Sequence, residues 1–354
     1  MPFLCMVCFV VFAYCYLQLY QCDVLSQVQY SSSGGETTYK PLIGTIILTT
    51  LLVAVSLVAD RILVLPLRLR ALAWFPAFYL MSAITAPHFS GIWSDTGEAP
   101  IWTFVLLPVV YALVLVVCHA YHDLASENRT FASYLQSNGL LMATFCLMTG
   151  LLGNSHDGIH YEMKAARLTA EGQTSAALNV ARYTGYTSPI MTSVRVEALC
   201  REGQLAERLF SYPLPHQTGG VLPDPFDTLR FVRPDRRLYV RLRAIPSRGK
   251  AVSDRLFLET LHERDTLPNP AVSNLLIATC LIERDITRFH QVLTERDSLG
   301  HLPRHYREAM VLCKHESDIA YDDLFYETQY HRYQQNPSHP EFADTYWRYY
   351  FTAE

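Results

Sequence analysis

Apolar residues follow two regimes along this chain. Up to residue 152 they come in long unbroken runs, and beyond it they come three and four positions apart. Five runs can be delimited, at residues 3–20, 41–59, 71–87, 100–118 and 134–152. A bilayer-spanning helix needs about 20 mostly apolar residues, with roughly 17–25 tolerated. Each run therefore predicts a membrane helix. The third, which contains Pro76 and ends on Pro87, is the least regular. The first lacks a basic leader and a small-residue cleavage site, so it reads as a retained helix rather than a signal peptide.

The spaced regime begins with "YEMKAARLTAEGQTSAALNVARYTGYTSP", residues 161–189. Tyr161, Ala165 and Leu168 share one helical face. Gly172 interrupts, and a second helix is expected to carry Ala177 and Ala181 on one face, with Pro189 stopping the next turn. Small alanines allow two helices to approach closely, and glycine permits the tight turn between them. "REGQLAERLF" at 201–210 echoes "AEGQTSAALN", and residues 274–293 and 303–313 repeat the plan of an apolar helix, a polar break and a second amphipathic stretch. The predicted fold class is all-α: about five transmembrane helices in residues 1–152, then a helical-hairpin domain in 153–354. A proline-rich break is expected at 213–234, and the aromatic C-terminus "EFADTYWRYYFTAE" as a capping helix.

The residues Tyr161, Ala165, Leu168, Ala177, Ala181 and Pro189 resemble a tetratricopeptide repeat in order and spacing. Ala165 stands where that family has glycine, and Thr184 where it has alanine. The resemblance implies an α-solenoid in which hairpins stack because none can bury its own apolar face, and it implies a protein or peptide partner. The whole layout, a polytopic head joined to a helical tail ending in "DTYWRYYF", resembles a group of Bacteroides-type membrane proteins. That resemblance implies no particular activity.

Charge adds orientation. Residues 1–152 hold five basic and seven acidic groups, and the remainder holds 24 and 26, so each part nets −2. Neither part is basic overall, which argues against a nucleic-acid partner. Arg61, Arg68 and Arg70 follow the second run and Arg129 follows the fourth, whereas the intervening loop has no Lys or Arg. The positive-inside rule puts the Arg-bearing loops in the cytoplasm. With five spans the tail then lies outside it, on the periplasmic side of an inner membrane. Losing one span reverses this.

Candidate chemistry is sparse. None of the five runs contains Asp, Glu, Lys, Arg or His, which weighs against an ion-coupled transporter. His156 and His160 stand four apart and His119 and His122 three apart, but a zinc peptidase helix needs HExxH, and Asp157 follows the first histidine here. These four are the weak metal candidates, and no metal centre or other cofactor is expected. Cys200, Cys280 and Cys313 sit among apolar helical residues and read as buried thiols, with a disulfide as the alternative. No GxSxG, P-loop or GxGxxG occurs. Residues 230–250 hold eight basic groups against Asp235. Arg233, Arg236, Arg237, Arg241 and Arg243 are the candidate contacts to an anionic ligand or lipid headgroup, set against a plain solvated face. The expected function is a membrane-anchored helical-repeat scaffold that binds a protein or peptide, with a membrane enzyme or lipid- or glycan-handling protein, using the histidine clusters or the basic 230–250 segment, as the alternative.

Overall fold

The computed structural model describes residues 2–33, 36–86, 100–120, 130–214, 220–223, 236–245, 253–264, 269–295 and 302–352. The described secondary structure is helical throughout. The chain divides into two compact units, Met1–Met163 and Lys164–Glu354. The division falls some ten residues beyond the boundary expected from hydropathy. The reason is that Ile159 and Met163 pack against Val24.

Four helices of the first unit are long and apolar enough to cross a membrane: Phe3–Tyr20, Pro41–Leu63, Ile101–Ala120 and Phe131–Leu152. The first combines α1 (Pro2–Tyr14) with a wider π turn, Cys15–Tyr20. It is followed by α2 (Cys22–Ser32), α3 (Pro41–Leu63), α4 (Phe75–Thr85), α5 (Ile101–Ala120) and α6 (Phe131–Leu152). Outward faces of α3 and α5 are aliphatic, with Ile46, Ile62, Val105 and Val116 all more than half exposed. An apolar surface this extensive suits lipid rather than water.

The run at 71–87 differs from the other four. It folds as a tight 3₁₀ turn, Arg70–Trp74, leading into the 11-residue α4. Pro76 favours the break: it has no N–H to give and its ring would crowd the carbonyl four residues back, so it suits the first turn of α4 better than the interior of one continuous helix. This short segment is nevertheless the core of the unit. Ala71, Trp74, Ala77, Phe78 and Met81 are buried. Its length, at about 2.0 Å per 3₁₀ residue and 1.5 Å per α residue, comes to roughly 26 Å, close to a ~30 Å hydrocarbon core.

Contacts fix its direction. Phe9 meets Trp74 and Phe78 at 5.1 and 5.0 Å, and the Tyr16 hydroxyl meets Thr85 Oγ1 at 2.8 Å, so α1 runs parallel to it. Asn138 accepts from Ala71 N at 2.7 Å and Asn154 N donates to Thr85 O at 3.1 Å, so α6 is parallel too. The Tyr79 hydroxyl donates to Phe104 O at 2.7 Å and that of Tyr111 to Leu72 O at 3.0 Å, so α5 is antiparallel. Thr45 donates to Gln18 at 3.1 Å and Asp60 pairs with Arg70 at 2.7 Å, making α3 antiparallel as well. The five successive segments thus alternate in direction.

The second unit holds the last half of α7 (Asp157–Ala170), then α8 (Thr174–Asn179), α9 (Pro189–Glu202), α10 (Leu205–Arg208), α11 (Arg236–Leu242), α12 (Asp254–Arg264), α13 (Pro270–Ile282), α14 (Ile286–Glu295), α15 (Arg304–Ser317), α16 (Leu324–Gln335) and α17 (Tyr346–Phe351). One apolar core runs from Leu178 to Trp347. Helix ends recur in one form. After α7, Gln173 N donates to Leu168 O and Gly172 N to Thr169 O; the same pair of bonds follows α9 (Gln204 to Leu199, Gly203 to Cys200), α11 (Ala244 to Tyr239, Arg243 to Val240) and α13 (Asp285 to Cys280, Arg284 to Leu281). This is the Schellman stop, which requires a left-handed residue just past the helix. Gly172, Gly203, Arg243 and Arg284 supply it, with φ of 82°, 68°, 51° and 61°. They stand 31, 40 and 41 residues apart.

Candidate functional site

The expected repeat residues are distributed unevenly. Ala165, Leu168 and Ala177 are buried and Tyr161 is partly so. Ala181 is not on the second helix. That helix ends at Asn179, and Ala181 lies beyond it with φ of 51°. β-branched Val180 leaves the helix in an extended conformation and buries its side chain instead. Pro189 begins α9 rather than closing α8, with Ser188 as its N-cap accepting from Met191 N at 3.0 Å. Proline suits that first position because its missing N–H would have no helical partner.

The proline-rich stretch is no free tether where it is described. Leu214, Val221 and Leu222 are buried in the core. Asp254, the first residue of α12, accepts from the backbone N–H groups of Gly220, Val221 and Leu222 at 3.0, 2.9 and 3.1 Å. Gly220 has φ of 88°, and a Cβ there would lie 2.6 Å from the Pro189 backbone.

Of the basic segment, residues 236–245 are described, and Arg241 and Arg243 there are exposed. Arg233 lies outside the described residues, as does His122. Arg236 and Arg237 open α11, whose Leu238, Tyr239 and Leu242 point into the core. Arg243 occupies the left-handed stop. Arg241 takes the remaining position, one turn after Leu238 on the same side of the helix, and these two line a cavity of about 370 Å³.

That cavity is enclosed by α9, α10, α11, α13, α14 and the start of α15. Its wall is aliphatic, built from Leu205, Leu238, Leu275 and Leu293 among others, with Tyr306 contributing a ring. Polar groups are few: Arg241 and Asn274 are the principal ones. The Arg241 carbonyl accepts from Asn269 Nδ2 at 2.6 Å, which fixes the end of α11. Among the described residues no carboxylate pairs with the Arg241 guanidinium, unlike Arg255, which bonds Glu259, Glu283 and Asp285. Cys200 also lines the cavity. Burial pushes its thiol up to about 12, with the positive charge of Arg241 opposing the shift. It is therefore a neutral wall group at physiological pH and not a nucleophile. The volume falls within the ~300–1,000 Å³ typical of small-ligand sites, and the lining, apolar with a few placed polar groups, has their usual character. Among its described lining residues no base, nucleophile and orienting group stand in series.

A second polar centre is structural. Glu308, 1% exposed, accepts from Arg304 Nε at 2.9 Å and Tyr346 N at 2.7 Å and contacts His305 Nδ1 at 3.0 Å. Its carbonyl accepts from Trp347 Nε1 at 2.8 Å. These bonds fasten the aromatic C-terminus, as α17, onto α15.

The histidine candidates do not converge. His160 Nε2 hydrogen-bonds the Asn154 carbonyl at 2.9 Å and its ring lies 4.4 Å from that of Tyr20, which ties α7 to the end of the bundle. Burial lowers its pKa, the bond to Asn154 partly offsetting this. His156 precedes α7, and His119 sits near the end of α5. Among the described residues no three His, Cys, Asp or Glu side chains meet as a metal set. All nine cysteines are free.

No family model, curated protein or solved structure matches this chain.

The sequence reading placed Arg241 among five equivalent arginines and missed Asn274. Its one signal was a polar residue opening the otherwise apolar "NLLIATCLI".

Proposed function

We propose that this chain is a multi-pass membrane protein whose helical tail is a tetratricopeptide-like binding module held at the far side of an inner membrane. The observation that carries the binding module is the four-fold recurrence of one helix stop. A repeated stop at intervals of 31, 40 and 41 residues suits successive helices folded back on one another in a stack, and such stacks serve as surfaces for protein or peptide partners. The alternation of five segments supports the sidedness. It puts the N-terminal end of α1 and the Asp60–Arg70 pair at one end of the bundle and Thr85 and Asn154 at the other. Arg61, Arg68 and Arg70 then face the cytoplasm, and the tail leaves from the opposite end.

Reporter fusions after residue 354 test the sidedness. A reporter active only outside the cytoplasm is expected to work, and a fluorescent one that matures only inside is expected to stay dark. The reverse result removes one crossing and overturns this reading. Site-specific photocrosslinking from exposed tail positions such as Tyr183 and Leu324 (90% and 81% exposed) tests partnership. A discrete adduct is expected, and its absence at every tail position counts against a protein partner.

A further inference from the structure

We propose that the cavity between α9–α11 and α13–α15 binds a single-chain aliphatic anion, with Arg241 holding the charged end and the leucine wall taking the chain. This goes beyond the protein-partner reading and does not depend on it. Three observations converge. The cavity is about 370 Å³ and lined largely by Leu, Ala and Pro side chains. It is bounded by helices whose backbone groups already bond one another. Arg241 lines it with no carboxylate partner among the described residues.

The chemistry selects against other occupants. A peptide threaded here would bring an N–H and a C=O per residue, each needing a partner, whereas the described lining is built mainly of Leu, Ala and Pro side chains. A neutral hydrocarbon would leave Arg241 unused. A cationic amphiphile would meet like charge. An aliphatic chain with one anionic end needs a single fixed cation, and guanidinium is the group that meets a carboxylate or phosphate with two parallel hydrogen bonds. The shared chemistry is one anionic head on one chain; a fatty acid and a lysophospholipid bearing a free phosphate both have it. Arg241 is an exposed residue, so a ligand's charged end held by it stays hydrated while its chain is buried.

The full chain in membrane vesicles is the material for the test. A palmitate carrying a diazirine on its chain is added, the sample is irradiated, and labelled peptides are mapped. Label on the bilayer helices is the internal standard for an inserted, intact protein. Relative to it, label is expected on the peptides carrying Leu205, Leu275 and Leu293. Arg241→Glu is expected to cut that label about tenfold, while Arg241→Lys keeps it within about threefold because the charge remains. Ala206→Trp, which fills the cavity from its partly exposed rim, is expected to abolish it. A matching alkylammonium diazirine is expected to leave these peptides unlabelled. Displacement by unlabelled palmitate alone identifies a carboxylate ligand, and displacement by lysophosphatidic acid as well extends the site to phosphate heads. Label confined to the bilayer helices, equal label from the alkylammonium probe, or no change in Arg241→Glu overturns the proposal.

Discussion

Pro108 lies in the middle of α5, among residues exposed to lipid. It has no N–H, so the carbonyl of Phe104, four residues earlier, has no helical donor at that position. Within a bilayer that carbonyl finds no water. The Tyr79 hydroxyl from α4 donates to it at 2.7 Å. The proline and the tyrosine therefore belong together, and a double-mutant cycle measures the link. Hydrogen bonds between membrane helices contribute on average about 0.6 kcal/mol and reach about 1.7. A carbonyl left without its helical donor belongs at the upper end, so Tyr79→Phe is expected to cost about 1–1.5 kcal/mol. Pro108→Ala restores an N–H at 108 and with it the helical bond to Phe104. In that background Tyr79→Phe should cost less than about 0.5 kcal/mol. The coupling is then about 1 kcal/mol, roughly fivefold in the folded-to-unfolded ratio. Reversible SDS unfolding in mixed micelles, followed by tryptophan fluorescence, reads it. An equal cost of Tyr79→Phe in both backgrounds refutes the pairing.

Further outcomes are expected in the tail. Glu308→Gln removes a buried charge facing Arg304 and His305 and should destabilise the C-terminal fastening by about 3 kcal/mol, raising amide exchange across 346–351 by about 100-fold in hydrogen–deuterium exchange with little change in α7–α9. Arg243→Gly replaces a side chain held at φ of 51° and should stabilise the tail by about 1 kcal/mol, seen as a higher Tm; Gly220→Ala should do the opposite, by about 2 kcal/mol or more. Acid should loosen the tail before the bundle. Burial alone would raise the carboxyls of Asp285, Asp323, Glu327 and Asp344, but bonds from the Arg288 backbone, Arg307, His315 and Arg304 respectively leave all four below their ordinary values. A depressed native pKa adds stability that is present above the unfolded value, near 4. It disappears as pH falls through the native values, so a thermal scan from pH 7 to 3 should hold its tail transition until about pH 4.5 and lose it below. Asp344→Asn should flatten that slope.

Local sequence was enough to place the apolar runs, to require helices after residue 152, and to put tight turns at Gly172, Gly203 and Glu283–Asp285. Each of those depends on residues within a turn or two of one another: hydropathy over one helix length, or a glycine free to take positive φ. The stop at Arg243 left no such mark, because arginine there is held left-handed by the bonds of its neighbours rather than by its own preference. What the chain could not disclose by itself depended on distant partners. Pro76 made the 71–87 run look weak, yet packing against α1, α3 and α6 turns it into the centre of the bundle. Pro108 gains its partner only when folding brings the Tyr79 hydroxyl to the Phe104 carbonyl at 2.7 Å. Arg241 was one basic residue among eight in its segment. Folding sets it on the wall of a leucine-lined cavity, and the other residues of that wall come from helices up to 65 residues away along the chain.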